Sequence, residues 1–302
     1  MLQYTLLFTF AANVLASPAV SDASILILGD WGSSPDIKSL KQVAKAMDRV
    51  AIDTSAYAVF TVGDNFYDDG VDSVNDKKWD DLWSNVFTGA TSKVKWNVIM
   101  GNHDWYGTPR AQLEYAKINS RWHQPDFFYD EEIQVGKSNI GFVFIETDLL
   151  AYGYGGKDNK PQVRKNFVKE GWVDGSSEIE NQLEWIETTL KKYDGYDYLF
   201  VFGHHNLQTC KLDSDDMDTL DRLLKKYNVS AYVHGHKHAL QSYKSNSMLY
   251  IQSGSAGVLE DVCKKNKGWG AAEHGFVNLR IKESSFKFDF YNMDGDILHT
   301  EN

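Results

Sequence analysis

Ile25-Leu26-Ile27-Leu28-Gly29-Asp30-Trp31-Gly32 carries the pattern on which the fold is read. Four aliphatic residues in a row run into a glycine, and an acid follows at once. A short apolar run bounded by glycine reads as a buried strand. The same order returns four times. Ala58-Val59-Phe60-Thr61-Val62 leads into Gly63-Asp64-Asn65-Phe66-Tyr67, and Asn97-Val98-Ile99-Met100 leads into Gly101-Asn102-His103-Asp104. Tyr198-Leu199-Phe200-Val201-Phe202 leads into Gly203-His204, and Ser230-Ala231-Tyr232-Val233 precedes Gly235-His236-Lys237-His238. In sheets with helical crossovers, ligands gather at the carboxyl ends of the strands. Five loops far apart in sequence are therefore expected to meet at one place.

Those loops carry Asp30, Asp64, Tyr67, Asn102, His204, His236 and His238, the hard-oxygen and imidazole set of a two-metal centre. Six of the nine histidines, His103, His204, His205, His234, His236 and His238, fall inside or beside the blocks. Scattered structural histidines would not cluster in this way. The His-x-His of His236 and His238, directly after a glycine, can face two adjacent metals from one turning loop.

Between the strand blocks lie segments of helical spacing. Ser177 and Glu180 form a capping-box pattern, and Ile179, Leu183, Ile186 and Leu190 follow at offsets of four, three and four. Helices are also expected over Asp36 to Val50, Ser73 to Val86, Pro109 to Ile118 and Met217 to Tyr227. Further strands are expected at Ile140 to Ile145, Met248 to Gln252, Gly275 to Ile281 and Phe286 to Tyr291. The last two are joined by a short polar link, which predicts an antiparallel hairpin and hence a mixed sheet. Tyr152 to Val173 reads as a long irregular stretch, either an active-site loop or a surface loop without a role.

The chain has 302 residues and a formal charge of −11. An α/β unit of this size forms one domain, expected over residues 24–302. Such a charge argues against nucleic acid and anionic membrane as partners, so attraction for phosphate must come from local cations. Residues 1–16 are apolar and end in a small residue before Ser17-Pro18, the pattern of a cleavable secretory signal, though without a positive start. No other stretch is long and apolar enough to span a membrane. Cys210 and Cys263 are the two cysteines, and an even pair in a secreted chain favours one disulfide. Asn228-Val229-Ser230 is a glycosylation sequon.

In order and residue type the five blocks resemble the metallophosphoesterase superfamily, and Tyr67 narrows the resemblance to purple acid phosphatases of the small, tartrate-resistant type. The family pattern Asp-x-Gly, Gly-Asp-x-x-Tyr, Gly-Asn-His-Asp/Glu, Val-x-x-His, Gly-His-x-His is matched at every ligand position. The resemblance implies an α/β fold, a four-layer α-β-β-α sandwich of two mixed sheets. It assigns Asp30, Asp64, Tyr67 and His238 to Fe(III), and Asp64, Asn102, His204 and His236 to a divalent Fe, Zn or Mn, with Asp64 bridging. Phenolate and carboxylate suit a hard trivalent ion, while an amide oxygen and neutral imidazoles suit a divalent one.

The activity implied is hydrolysis of phosphate monoesters in acid, by direct attack of metal-bound hydroxide on phosphorus. His103 would protonate the leaving group, with Asp104 orienting its imidazole. One departure stands out. The small animal enzymes have a second outer-sphere histidine several residues beyond the position of His204, where this chain has Gln208-Thr209-Cys210-Lys211-Leu212-Asp213. His205 either replaces it or is structural. Small phosphate esters or phosphoproteins are the implied substrates, and a secreted, lysosomal or vacuolar monomer is expected. A metal-dependent phosphodiesterase or pyrophosphatase, and a non-catalytic scaffold on the same fold, are the alternative readings.

Overall fold

The computed structural model describes residues 20–157, 160–264 and 267–302. The expected signal segment, residues 1–16, lies outside them. The strands are β1 (Asp22–Leu28), β2 (Ala58–Thr61), β3 (Lys95–Asn97), β4 (Trp122–His123), β5 (Tyr129–Val135), β6 (Ser138–Phe144) and β7 (Tyr198–Phe202), then β8 (Ala231–His234), β9 (Leu240–Ser245), β10 (Met248–Ser253), β11 (Trp269–Ala271), β12 (Gly275–Lys282), β13 (Ser285–Asn292) and β14 (Ile297–Glu301). The helices are α1 (Ile37–Thr54), α2 (Arg110–Ile118), α3 (Asp148–Tyr152), α4 (Pro161–Lys169), α5 (Glu178–Lys192) and α6 (Asp215–Lys226).

Two seven-stranded sheets result, ordered β14-β13-β12-β1-β2-β3-β4 and β11-β9-β10-β8-β7-β6-β5. Both are mixed. In the first sheet β1, β2, β3 and β4 run parallel, β12 pairs antiparallel with β1, and β13 pairs antiparallel with β12. In the second, β6, β7, β8 and β10 form the parallel part.

Strand β1 shows why its residues form a central strand. Ile25 and Ile27 enter the core between the sheets with Phe60, Phe142, Phe144, Phe200, Phe202 and Ile251. Leu26 and Leu28 point the other way, toward Leu40, Val43 and Met47 of α1 and a cluster of Trp31, Trp83, Trp96 and Trp122. Successive side chains of a strand face opposite sides, so a strand covered on both faces is apolar throughout. On the far side, Ile186 and Leu190 of α5 and Leu220 and Leu224 of α6 cover Val143, Val201 and Tyr232 of the second sheet. This is the four-layer α-β-β-α sandwich, with its main core between the sheets.

The hairpin of β12 and β13 forms as expected, paired from Gly275↔Asn292 to Lys282↔Ser285. Three local expectations need correction. Ser73 to Val86 is not one helix, and only Trp79–Ser84 winds into a π-helical turn. Side chains there compete for the backbone: Asp76 accepts from the N–H of Asp72 at 2.7 Å and of Lys78 at 2.9 Å, and Ser73 Oγ accepts from Asn75 N–H at 3.2 Å. Ser177 occupies the N-cap position of α5 but makes no capping bond, because its backbone (φ −93°, ψ 24°) is not extended. The stretch from Tyr152 to Val173 is not irregular throughout. It holds α4, opened by Pro161, with Val163 and Phe167 buried at i, i+4 spacing among Trp105, Phe127 and Trp172.

Candidate metal centre

Every expected ligand lies in a loop beyond a strand, and the turns are tight. Asp30 (φ 54°), Asp64 (φ 50°) and His236 (φ 68°) are in the left-handed region, unusual for residues with side chains and a mark of backbone held by its surroundings. Gly63 (φ 90°) lets the β2 loop turn, and a methyl group there would meet His204 Nδ1 at 2.6 Å. A methyl group at Gly101 would collide with the Asp64 carboxylate, so glycine permits that close approach.

The four residues expected around the trivalent ion meet at one point. Tyr67 Oη lies 3.1 Å from Asp30 Oδ1, 2.9 Å from Asp64 Oδ2 and 3.2 Å from His238 Nε2. His238 Nε2 is 3.3 Å from Asp30 Oδ1, and its Nδ1 faces Glu260 Oε1 at 3.4 Å. Asp64 Oδ2 also reaches His204 Nε2 at 3.4 Å, and that nitrogen is 3.3 Å from His236 Nδ1. Asp64 thus stands between the two groups. His204 Nδ1 is 2.8 Å from the Val62 carbonyl, which can only accept, so Nδ1 carries a hydrogen and Nε2 is the nitrogen that a proton or, in the neutral ring, a cation would occupy. Asn102 is buried with neither side-chain atom hydrogen-bonded. An orphaned buried amide is costly, and a cation beside its oxygen would remove part of the cost.

Electrostatics give the same picture. Burial, Asp30 and Asp64 push the Tyr67 phenol well above its ordinary pKa. Burial disfavours charge on His204, yet the Asp64 carboxylate outweighs it and lifts the imidazole to about 10. Without a cation, a proton on His204 offsets the acids. The donor set of two carboxylates, a phenol, an amide and three imidazoles fits a pair of cations, and a bound cation would reverse the penalty on the phenolate.

His103 lies at the rim, its ring 4.2 Å from that of Tyr67 between centroids, and its backbone N–H donates to Asp64 Oδ1 at 2.8 Å. Its Nδ1 is 2.6 Å from the Asp68 carbonyl. The expected orienting role of Asp104 is therefore corrected. Asp104 turns away from the imidazole and accepts from the backbone of Gly101 (2.9 Å), Asn65 (3.0 Å) and Phe66 (3.3 Å) and from Gln112 Nε2 (2.8 Å). It ties the Asp64–Tyr67 loop to the Asn102 loop. Burial and the nearby Asp64 raise its pKa to about 7.

His205 is buried, with Nδ1 2.8 Å from Thr147 Oγ1, and a ring nitrogen falls within 4.8 Å of the ligand nitrogens of His204 and His236. Burial and the neighbouring His236 and His204 hold it well below the usual histidine range. The sequence reading missed Glu146, Thr147 and Asp148 at the end of β6, although they follow an apolar strand as the other blocks do. Glu146 accepts from Trp105 Nε1 at 3.1 Å and from the N–H groups of Asp148 and Leu149, and burial pushes its carboxyl up to about 7. Asp148 is buried, and neither oxygen has a hydrogen-bond partner.

A family model for calcineurin-like phosphoesterases matches residues 23–240, which includes every ligand loop. The chain belongs to the calcineurin-like phosphoesterase family. Within it, this phosphoesterase is 28% identical to tartrate-resistant acid phosphatase type 5 of Oryctolagus cuniculus, over 85% of this chain and 81% of that one. It is also 28% identical to purple acid phosphatase 7 of Arabidopsis thaliana, over 91% and 84% of the two chains. Among solved structures, the anchor in the inner membrane complex of Plasmodium superposes with a TM-score of 0.76 at 20% identity, covering 93% of this phosphoesterase and 88% of the anchor. That likeness is one of fold alone. No helix among the described residues is long and apolar enough to cross a membrane.

Proposed function

We propose that the phosphoesterase is an acid phosphatase, hydrolysing phosphate monoesters at a dinuclear centre of Fe(III) and a divalent Fe, Zn or Mn. The observation that carries this is the meeting of Tyr67 Oη with Asp30, Asp64 and His238 at 2.9–3.2 Å. A phenol wedged between two carboxylates is a poor arrangement for a protein alone and a good one for a hard trivalent ion. Asp30, Asp64, Tyr67 and His238 would hold that ion, and Asp64, Asn102, His204 and His236 its divalent partner. The two ions would clamp phosphate oxygens and lower the pKa of a bound water.

His103 supplies the proton to the leaving alkoxide from Nε2. Its Nδ1–H is held by the Asp68 carbonyl, so the ring presents one nitrogen outward, and protonated His103 is needed, which favours acid. Substrates are small phosphate esters or phosphoproteins, the working form is a monomer, and the chain enters the secretory pathway. The Cys210–Cys263 disulfide supports an oxidising compartment.

The test is colour with metal analysis on one purified sample. Phenolate bound to Fe(III) absorbs visible light, so a purple protein with iron that hydrolyses p-nitrophenyl phosphate in acid is expected. A colourless protein carrying two zinc or manganese ions would favour a phosphodiesterase or pyrophosphatase. A folded protein that takes up no metal would favour a scaffold.

A further inference from the structure

His205 Nδ1 is engaged by Thr147, while Nε2 is buried without a partner. The Thr147 hydroxyl decides the tautomer. Its oxygen already accepts from the backbone N–H of His204 at 3.1 Å and of His205 at 3.2 Å. A hydroxyl offers two lone pairs and one hydrogen. Both lone pairs are used, so its hydrogen is what faces His205 Nδ1, and that nitrogen must accept. In the neutral ring the hydrogen then sits on Nε2. This is the reverse of His204, whose Nδ1 donates to Val62 and whose Nε2 is free to ligate.

The His205 ring lies 4.5 Å from the ring of His236 between centroids, on the side of the expected divalent ion. Metal ligation needs a lone pair, which Nε2–H lacks, so His205 is not a third imidazole ligand. A buried N–H with no acceptor is destabilising until something accepts from it.

Resting on the phosphatase reading above, we propose that His205 is a fixed, neutral hydrogen-bond donor to a non-bridging oxygen of the phosphoryl group held beside the divalent ion. Thr147 is its positioning residue. His103 and His205 then divide the work by opposite tautomers. His103 keeps Nδ1–H on a carbonyl and can take and give a proton at Nε2, whereas His205 holds Nε2–H permanently and binds charge without transferring it.

Nitrogen-15 NMR of histidine-labelled protein reads the tautomer directly, with and without metal. A pyrrole-type Nε2 and pyridine-type Nδ1 are expected for His205, and the opposite assignment overturns the proposal. Equilibrium binding of molybdate, a tetrahedral oxyanion, to the metal-loaded protein tests the donor. His205→Phe should retain both metals and bind molybdate roughly 10- to 100-fold more weakly, the range of one hydrogen bond to a charged group. His205→Gln, which keeps an N–H, should recover part of that loss. Loss of one metal from His205→Phe would make His205 a ligand, and unchanged molybdate affinity would make it packing; either overturns the proposal. A wild-type protein that takes up no metal would overturn the phosphatase reading instead, while the tautomer is still read on the metal-free chain.

Discussion

The Asp68 carbonyl, 2.6 Å from His103 Nδ1, does for the acid what a carboxylate was expected to do. His103→Ala should therefore lower kcat on alkyl phosphates by roughly 10²–10⁴-fold and on p-nitrophenyl phosphate far less, since nitrophenolate leaves without a proton. Equal losses on both substrates would remove His103 from this role. Tyr67→Phe should bleach the visible band while Asp30, Asp64 and His238 still hold iron weakly; a variant that stays purple would take the phenolate out of the chromophore. Ligand candidates were legible because each is a distinctive residue type next to its strand. Roles set by distant partners were not. Asp104 adjoins His103 in sequence but spends its carboxylate on Asn65, Phe66, Gly101 and Gln112, and the tautomer of His205 depends on Thr147, fifty-eight positions earlier.

Among elements, strands with both faces buried were plain in the sequence. Phe200, Val201 and Phe202 of β7 are unbroken apolar residues because one sheet face meets the other sheet and the next meets helices. Edge strands β5 and β14 alternate with acids and polar residues, as in Tyr129–Val135, and leave a weaker trace. The π-helical turn at Trp79–Ser84 was hidden because helical spacing says nothing of Asp76 capturing backbone N–H groups. The Cys210–Cys263 disulfide links the loop after His204 to a segment whose Cys263 N–H donates to Gln241 Oε1, on the strand that follows His238. With a sequence separation of 53, the chain-entropy model gives the bridge about 4 kcal/mol. Cys263→Ser should lower the thermal midpoint and release the divalent ion before the ferric one. Calorimetry with metal analysis checks both, and a variant of unchanged midpoint would show that the bridge constrains nothing.

At the scale of the molecule, a chain of charge −11 buries acids around its centre, and this sets how the metal-free protein answers pH. Burial raises Glu146 to about 7, and burial with Asp64 raises Asp104 to about 7; burial and Glu146 lift Asp148 well up. A carboxyl whose folded pKa exceeds its unfolded value holds its proton more tightly when folded. Its cost is absent below the unfolded value, grows as pH rises, and is complete above the folded value. For Glu146 that window runs from the ordinary glutamate value of 4.5 to about 7. Asp64 works the other way, since burial is outweighed by His204 and its carboxylate is held well below the ordinary range, so its contribution is lost only in stronger acid. In metal-free protein the buried carboxyls should therefore give a fall in stability between pH 5 and pH 7, set against the gain from His205, His234 and His236, which burial holds below the ordinary histidine range and which stabilise the fold increasingly as pH rises toward that range. Glu146→Gln should flatten that fall by on the order of 2–3 kcal/mol. The variant should also be weaker at pH 5, because its amide nitrogen displaces one of the oxygens that accept from Trp105, Asp148 and Leu149. Urea unfolding of the chelator-treated protein across this range measures both changes. A Glu146→Gln curve that falls as steeply as the wild type would show that this carboxyl does not carry the loss, and a wild-type curve that rises from pH 5 to pH 7 would mean that the buried neutral histidines outweigh the buried acids.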